Sequence, residues 1–203
     1  QIDSAMQIQA RPSMMQPPDA SDAAEEDADQ DTDTAIEVTS RARAGAEYHI
    51  HARPMIDAYL KLTTALAADD LAASRTAAGE LHAAADHAAQ MASKLGFEPN
   101  DAEEFERLQK ELASAAKFES SAEMDDLRNQ LPKITVLFET YIRTFGHDRE
   151  GPIYRAYCPM AFDDKGGYWF QTGSTIDNAY FGSKMRRCGV IKAEIGPDGK
   201  AAN

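Results

Sequence analysis

No apolar run in this sequence approaches the roughly 20 residues that a membrane-spanning helix needs, so direct membrane insertion is not expected. Basic side chains are scarce: 21 Lys and Arg stand against 34 Asp and Glu, giving a formal net charge of −13. That balance argues against a nucleic-acid or anionic-membrane role, because both need clustered positive charge. With only two cysteines, Cys158 and Cys188, the chain has no disulfide framework. The absence of C-x-x-C-H excludes covalent c-type haem, and the absence of C-x-x-C weakens a thioredoxin-like redox role. No Ser-His-Asp order, paired-carboxylate pattern or phosphate loop stands out, so an enzyme is not expected. A secretory signal is missing too. The chain opens on Gln1 rather than Met and reads as a processed or cloned fragment, so that absence says nothing of compartment.

What is present divides into four regions. Residues 1–16 place Ile2, Met6 and Ile8 in a weak alternating pattern that Pro12 ends, a strand with no visible partner. They read as the terminal strand of a preceding domain. Residues 17–40 are rich in Pro, Asp, Glu and Ala, with little to bury, and read as an acidic, disordered linker. Residues 41–146 carry four helical patterns. The first runs from about Ala44 to Ala67, with Pro54 either kinking it or lying in its first turn. The second opens at Asp69-Asp70 and runs to about Leu95 before Gly96. The third spans about Asp101 to Phe118, and the fourth runs from Ser121 or Ala122 to about Phe145, with a break or kink at Pro132. Short connections favour antiparallel neighbours. Residues 147–203 replace alanine with glycine and aromatics and predict short strands and loops. The fold class expected is mainly α: an antiparallel four-helix bundle with an irregular, short-stranded C-terminal cap.

The chemistry sits in that cap. Cys158-Pro159-Met160 and Met185-Arg186-Arg187-Cys188-Gly189 bracket it. Thiolate and thioether sulfur are soft donors that favour Cu(I) and Ag(I) over oxygen-preferring ions. Pro159 restricts the backbone between Cys158 and Met160, and Gly189 allows close approach after Cys188. Gly166-Gly167, Trp169 and Asn178-Ala179-Tyr180-Phe181-Gly182 can fold the segment back on itself. The plain alternative is a disulfide between Cys158 and Cys188, worth about 3–4 kcal/mol in the loop-entropy account. Spacing alone leans toward the disulfide.

The histidines divide similarly. His49 and His51 lie two apart and point to different sides of a helix. His51 shares the inward stripe with Met55, Ala58 and Tyr59, as a packing residue or a ligand. His82 and His87 read as solvated surface residues, and His147 as a ligand candidate at the mouth of the cap. Tyr168, Trp169, Phe170, Tyr180 and Phe181 read as the core of a small domain rather than a binding platform.

The stretch YCPMAFDDKGGYWFQTGSTIDNAYFGSKMRRCG resembles a C-terminal domain of unknown function appended to periplasmic adaptor (membrane fusion) subunits of copper/silver efflux systems of the resistance-nodulation-division (RND) class. That family carries CPMA, then W-L-Q, then N-P-Y-[FY]-G, then M-L-x-C-G. Here CPMA stands at Cys158–Ala161, and the second motif is Trp169-Phe170-Gln171. The third is Asn178-Ala179-Tyr180-Phe181-Gly182, and the fourth Met185-Arg186-Arg187-Cys188-Gly189. Ala179 replaces a proline and loosens a turn, while Arg186 puts a charge near the sulfurs. HARPMIDAYLKLTTALAADD is similar to the family's opening helix, with His51 at a familiar histidine position, and IDSAMQIQARPSMM resembles the closing strand of the adaptor's membrane-proximal domain. The resemblance implies a periplasmic location, an inner-membrane RND pump and other adaptor subunits as partners, and Cu(I) or Ag(I) as the bound ion. The ligand set it implies is Cys158 and Cys188, assisted by Met160 or Met185 and by His51.

Overall fold

The computed structural model describes residues 47–202. The N-terminal strand, the acidic linker and the first residues of the expected opening helix lie outside them. Four helices come first: α1 (Glu47–Ala67), α2 (Leu71–Met91), α3 (Pro99–Ala115) and α4 (Met124–Phe145). Each packs on its neighbour in sequence order, and α1 also meets α4. None of these helices is long and apolar enough to cross a membrane.

The helix ends follow from local chemistry. Asp70 caps α2 by accepting from the Ala73 N–H at 2.9 Å. Two residues earlier than expected, α3 opens on Pro99, because proline's missing N–H and fixed φ suit a first helical position. The capping box of α4 pairs Glu123 with Asp126, whose carboxylate takes the Glu123 N–H at 2.8 Å. At the other end of α2, the α-helix stops at Met91 and a 3₁₀ turn, Ala92–Lys94, fills the remainder.

Neither internal proline breaks its helix: α1 runs through Pro54 and α4 through Pro132. Proline inside a helix costs roughly 3 kcal/mol. Leu131 and Ile134 beside Pro132 are fully buried, each worth about 1.5–3 kcal/mol, so burial outweighs the lost backbone bond. The expected break is therefore absent.

The buried face of α2 is mostly Ala77, Ala78, Ala85, Ala88 and Ala89, small side chains that let α1 and α3 approach closely. Tyr59 joins three elements. Its ring stacks on Phe138 of α4 at 3.8 Å between centroids, and its hydroxyl sits 2.8 Å from Thr135 Oγ1. That hydroxyl also accepts the Phe170 N–H at 3.2 Å.

Beyond α4 the short strands expected of the cap are present, and they pair into an ordered sheet. Strands β1 (Ile153–Cys158), β2 (Gly167–Gln171), β3 (Val190–Ile195) and β4 (Ala201–Ala202) form one antiparallel sheet in the order β2-β1-β3-β4. The bounds of the strands escape a periodicity reading because polar side chains are buried in them. Arg155 on β1 is buried against Glu139 of α4, with Nε 3.1 Å from that carboxylate, and covers the Tyr168 ring at 3.6 Å. The segment Phe181–Lys184 returns to the helices: Asp69 accepts the Ser183 N–H at 2.7 Å and pairs with Arg128 at 2.6 Å. Those hydrogen bonds, Ser183 first and Arg128 second, hold the Asp69 carboxyl well below the usual carboxylate range.

Candidate metal centre

Strand register brings the two cysteines together. Cys158 ends β1, opposite Gly167 of β2, and the Tyr157↔Val190 pair sets the start of β3 beside it. Cys188 lies two residues before that start. The two Sγ atoms stand 3.6 Å apart as free thiols, Cys158 fully buried and Cys188 half-buried.

Gly189 makes the approach possible. Its φ is +132°, and a Cβ there would lie 2.7 Å from the Tyr157 carbonyl oxygen and 3.1 Å from Trp169 Cη2. Only glycine fits without displacing main chain. The carbonyl of Cys188 is held by Asn178, whose Nδ2 donates to it at 2.7 Å. The same buried side chain accepts, through Oδ1, from the N–H groups of Tyr180 (2.8 Å) and Phe181 (3.0 Å). Its own main-chain N–H donates to the Arg186 carbonyl at 2.9 Å. The Asn178 side chain thus satisfies three main-chain groups and fixes the loop that carries Cys188.

Gln171 does similar work one layer away. Its Oε1 accepts from Trp169 Nε1 and from the Asp177 N–H, both at 3.1 Å, and its Nε2 donates to Thr175 O at 2.7 Å. Trp169 is fully buried and meets Tyr180 edge-on at 5.9 Å, so the aromatic residues form a core, as their clustering predicts. Neither amide side chain is distinguishable as a positioning residue from composition; their only sequence signal is membership of the W-x-Q and N-x-Y-F-G motifs.

The two methionines are close neighbours of the cysteines in sequence. Met185 is half-buried and its carbonyl accepts the Cys188 N–H at 2.9 Å, closing a turn. Met160 is 45% exposed. It precedes a turn in which Phe162, Asp163 and Asp164 all have φ near +60°, a left-handed run that non-glycine residues rarely adopt. Arg186 points its charge to Asp177, bonding it through Nε and, at 3.0 Å, through Nη2.

His51 stands elsewhere. Its half-buried ring faces His87 of α2 at 5.6 Å. Leu66, where the Arg128 side chain links α1 to the Ala179 carbonyl, lies about 22 Å further along α1 at 1.5 Å per residue. Among the described residues no three His, Cys, Asp or Glu side chains converge on one point, so His51 does not join the cysteines. His82, read as solvated, is half-buried with Nδ1 2.9 Å from the Ala113 carbonyl, tying α2 to α3. His87 is exposed, as expected. His147 is buried, at the Ile195 end of β3 rather than beside the thiols.

Burial, and then the neighbouring Cys158 thiol, push the Cys188 thiol above its ordinary pKa. It therefore stays protonated at neutral pH until something displaces the proton. A soft cation does this, since a coordinating thiol is deprotonated outright.

Residues 55–150 match a family model described as a protein of unknown function (DUF3347). The match begins inside α1 and ends before β1, so it contains neither cysteine. Its description assigns no activity and names no efflux adaptor. No curated protein matches the chain, and no solved structure does.

Proposed function

We propose that this chain is a Cu(I)- or Ag(I)-binding module of a periplasmic efflux adaptor, capturing the ion and passing it to an RND pump. The observation that carries the reading is the pair of free thiols 3.6 Å apart, drawn from positions thirty residues apart. At the roughly 2.3 Å of a metal–thiolate bond, that separation gives an S–M–S angle of about 100°. An angle so far from linear leaves room for a third soft ligand, which Met160 or Met185 would supply. A thioether at that position binds weakly and exchanges readily, as delivery requires. The W-x-Q, N-x-Y-F-G and M-x-x-C-G motifs, which resemble those of adaptor-borne domains, support the compartment and the pump partner. The four helices are read as an up-down bundle that docks this module within the assembly.

The same proximity supports a second reading, a disulfide-closed docking domain with no metal role. Free-thiol titration with and without reductant, run beside Cu(I) competition against a chromophoric chelator, separates the two. The metal reading expects two titratable thiols and one Cu(I) withheld from the chelator. A reduced protein that withholds none would end it.

A further inference from the structure

The strands that hold the cysteines at one end are pinned at the other by a buried histidine. β1 and β3 pair from Tyr157↔Val190, beside the thiols, to Ile153↔Ile195. At that far end His147, only 1% exposed, donates its main-chain N–H to the Pro197 carbonyl at 2.9 Å. Its Nε2 lies 3.3 Å from the Ile195 carbonyl, and its Nδ1 is enclosed with no hydrogen-bond partner. A carbonyl only accepts, so this contact selects the neutral tautomer protonated on Nε2 and leaves Nδ1 bare. The turn between β3 and β4 is pressed against the end of α4: a Cβ on Gly146 would collide with the Pro197 carbonyl, and one on Gly199 with that of Ile142.

We propose that His147 is an acid-sensitive latch, in which proton uptake at Nδ1 frees the β3–β4 hairpin from α4 and loosens the strand pairing that brings Cys158 and Cys188 together. The latch stands on strand geometry and is independent of any metal. Charged and titratable groups face the ring from every side. His49 comes from α1, Asp148 from its own segment and Asp198 from the β3–β4 turn, and the Ile195 and Gly196 carbonyls face it from the end of β3. The carboxylates and carbonyls favour an imidazolium. Asp148, however, is already bonded by Arg53 through Nε at 3.0 and 3.1 Å, and Asp198 caps the Lys200 N–H at 3.1 Å. Burial outweighs what remains and holds His147 below its ordinary value. The folded state then binds fewer protons than the unfolded one, so stability falls as pH drops below about 6.5.

Hydrogen exchange on the intact chain, corrected for the intrinsic rate, tests this without metal. Between pH 7.5 and 5.5 the protection of the Val190–Ile195 amides should fall by up to about tenfold, the most that one histidine can contribute, while α2 and α3 hold theirs. His147→Gln keeps a donor for Ile195 but does not titrate, and should flatten the response. Should that variant not fold, the NMR titration of His147 in the unmodified protein decides, since its midpoint must coincide with the opening of β3. Flat protection across the range, an equal response in His147→Gln, or a His147 titration without opening would each overturn the latch.

Discussion

From Glu47 to Phe145 the chain is held by many interchangeable apolar contacts, whereas from Cys158 to Val190 it is held by a few side chains with no substitutes. The helical part buries Leu62, Leu66, Leu81, Leu112, Leu131 and a face of alanines. Any one of these shares its work with its neighbours. In the second part the Asn178 side chain alone answers three main-chain groups, and Gly189 alone admits the Tyr157 carbonyl. Stability should therefore reside in the first region and site geometry in the second.

That division can be broken in order of expected size. Leu131→Ala leaves a cavity at a fully buried position and should cost about 2–5 kcal/mol in chemical denaturation. Because α4 backs the sheet, Trp169 fluorescence and helical circular dichroism should be lost together; separate transitions would mean the regions fold independently. Asn178→Ala strands buried main-chain groups and should cost about 1–3 kcal/mol. Here the comparison sharpens: helicity should persist while soft-metal affinity drops, and an unchanged affinity would remove Asn178 from the site. Acidification is a smaller lever. Burial lowers the affinity of His49 and His147 for protons, so the denaturation midpoint should fall between pH 7.5 and 5.5, and a midpoint that rises would reverse the sign. Smallest is His82→Ala, which removes one hydrogen bond to Ala113, about 1 kcal/mol, and should leave metal affinity untouched.

The same contrast explains what the sequence made readable. Apolar spacing located all four helices, and Asp70 and Gly96 marked real boundaries, because helix periodicity is a local signal. Of the break or kink that Pro132 suggests, no break occurs, since its cost is local and the burial that outweighs it is not. Short strands in the cap were legible, but their pairing into one sheet was not, because it depends on contacts such as Arg155 with Glu139, sixteen residues away, which no window on β1 can see. Of the site, the cysteines were legible as a bracket and the glycine beside them as a close approach. Their separation was not, because it depends on the register of β1 and β3. His51 looked inward by its spacing, and it is partly inward, but it faces α2 and His87. His82 looked exposed because its acceptor is a main-chain carbonyl on another helix. His147 looked like a ligand because nothing in its neighbourhood announces the Pro197 turn that buries it.

The central claim is that Cys158 and Cys188 form one soft-metal site, and a crystal structure of the reduced chain soaked with Ag(I) tests it most directly. The account predicts a single ion bonded to both Sγ atoms, with a methionine sulfur or an open position as its third neighbour. Silver bound elsewhere, at His51 and His87 for example, while the two thiols remain free, would contradict it.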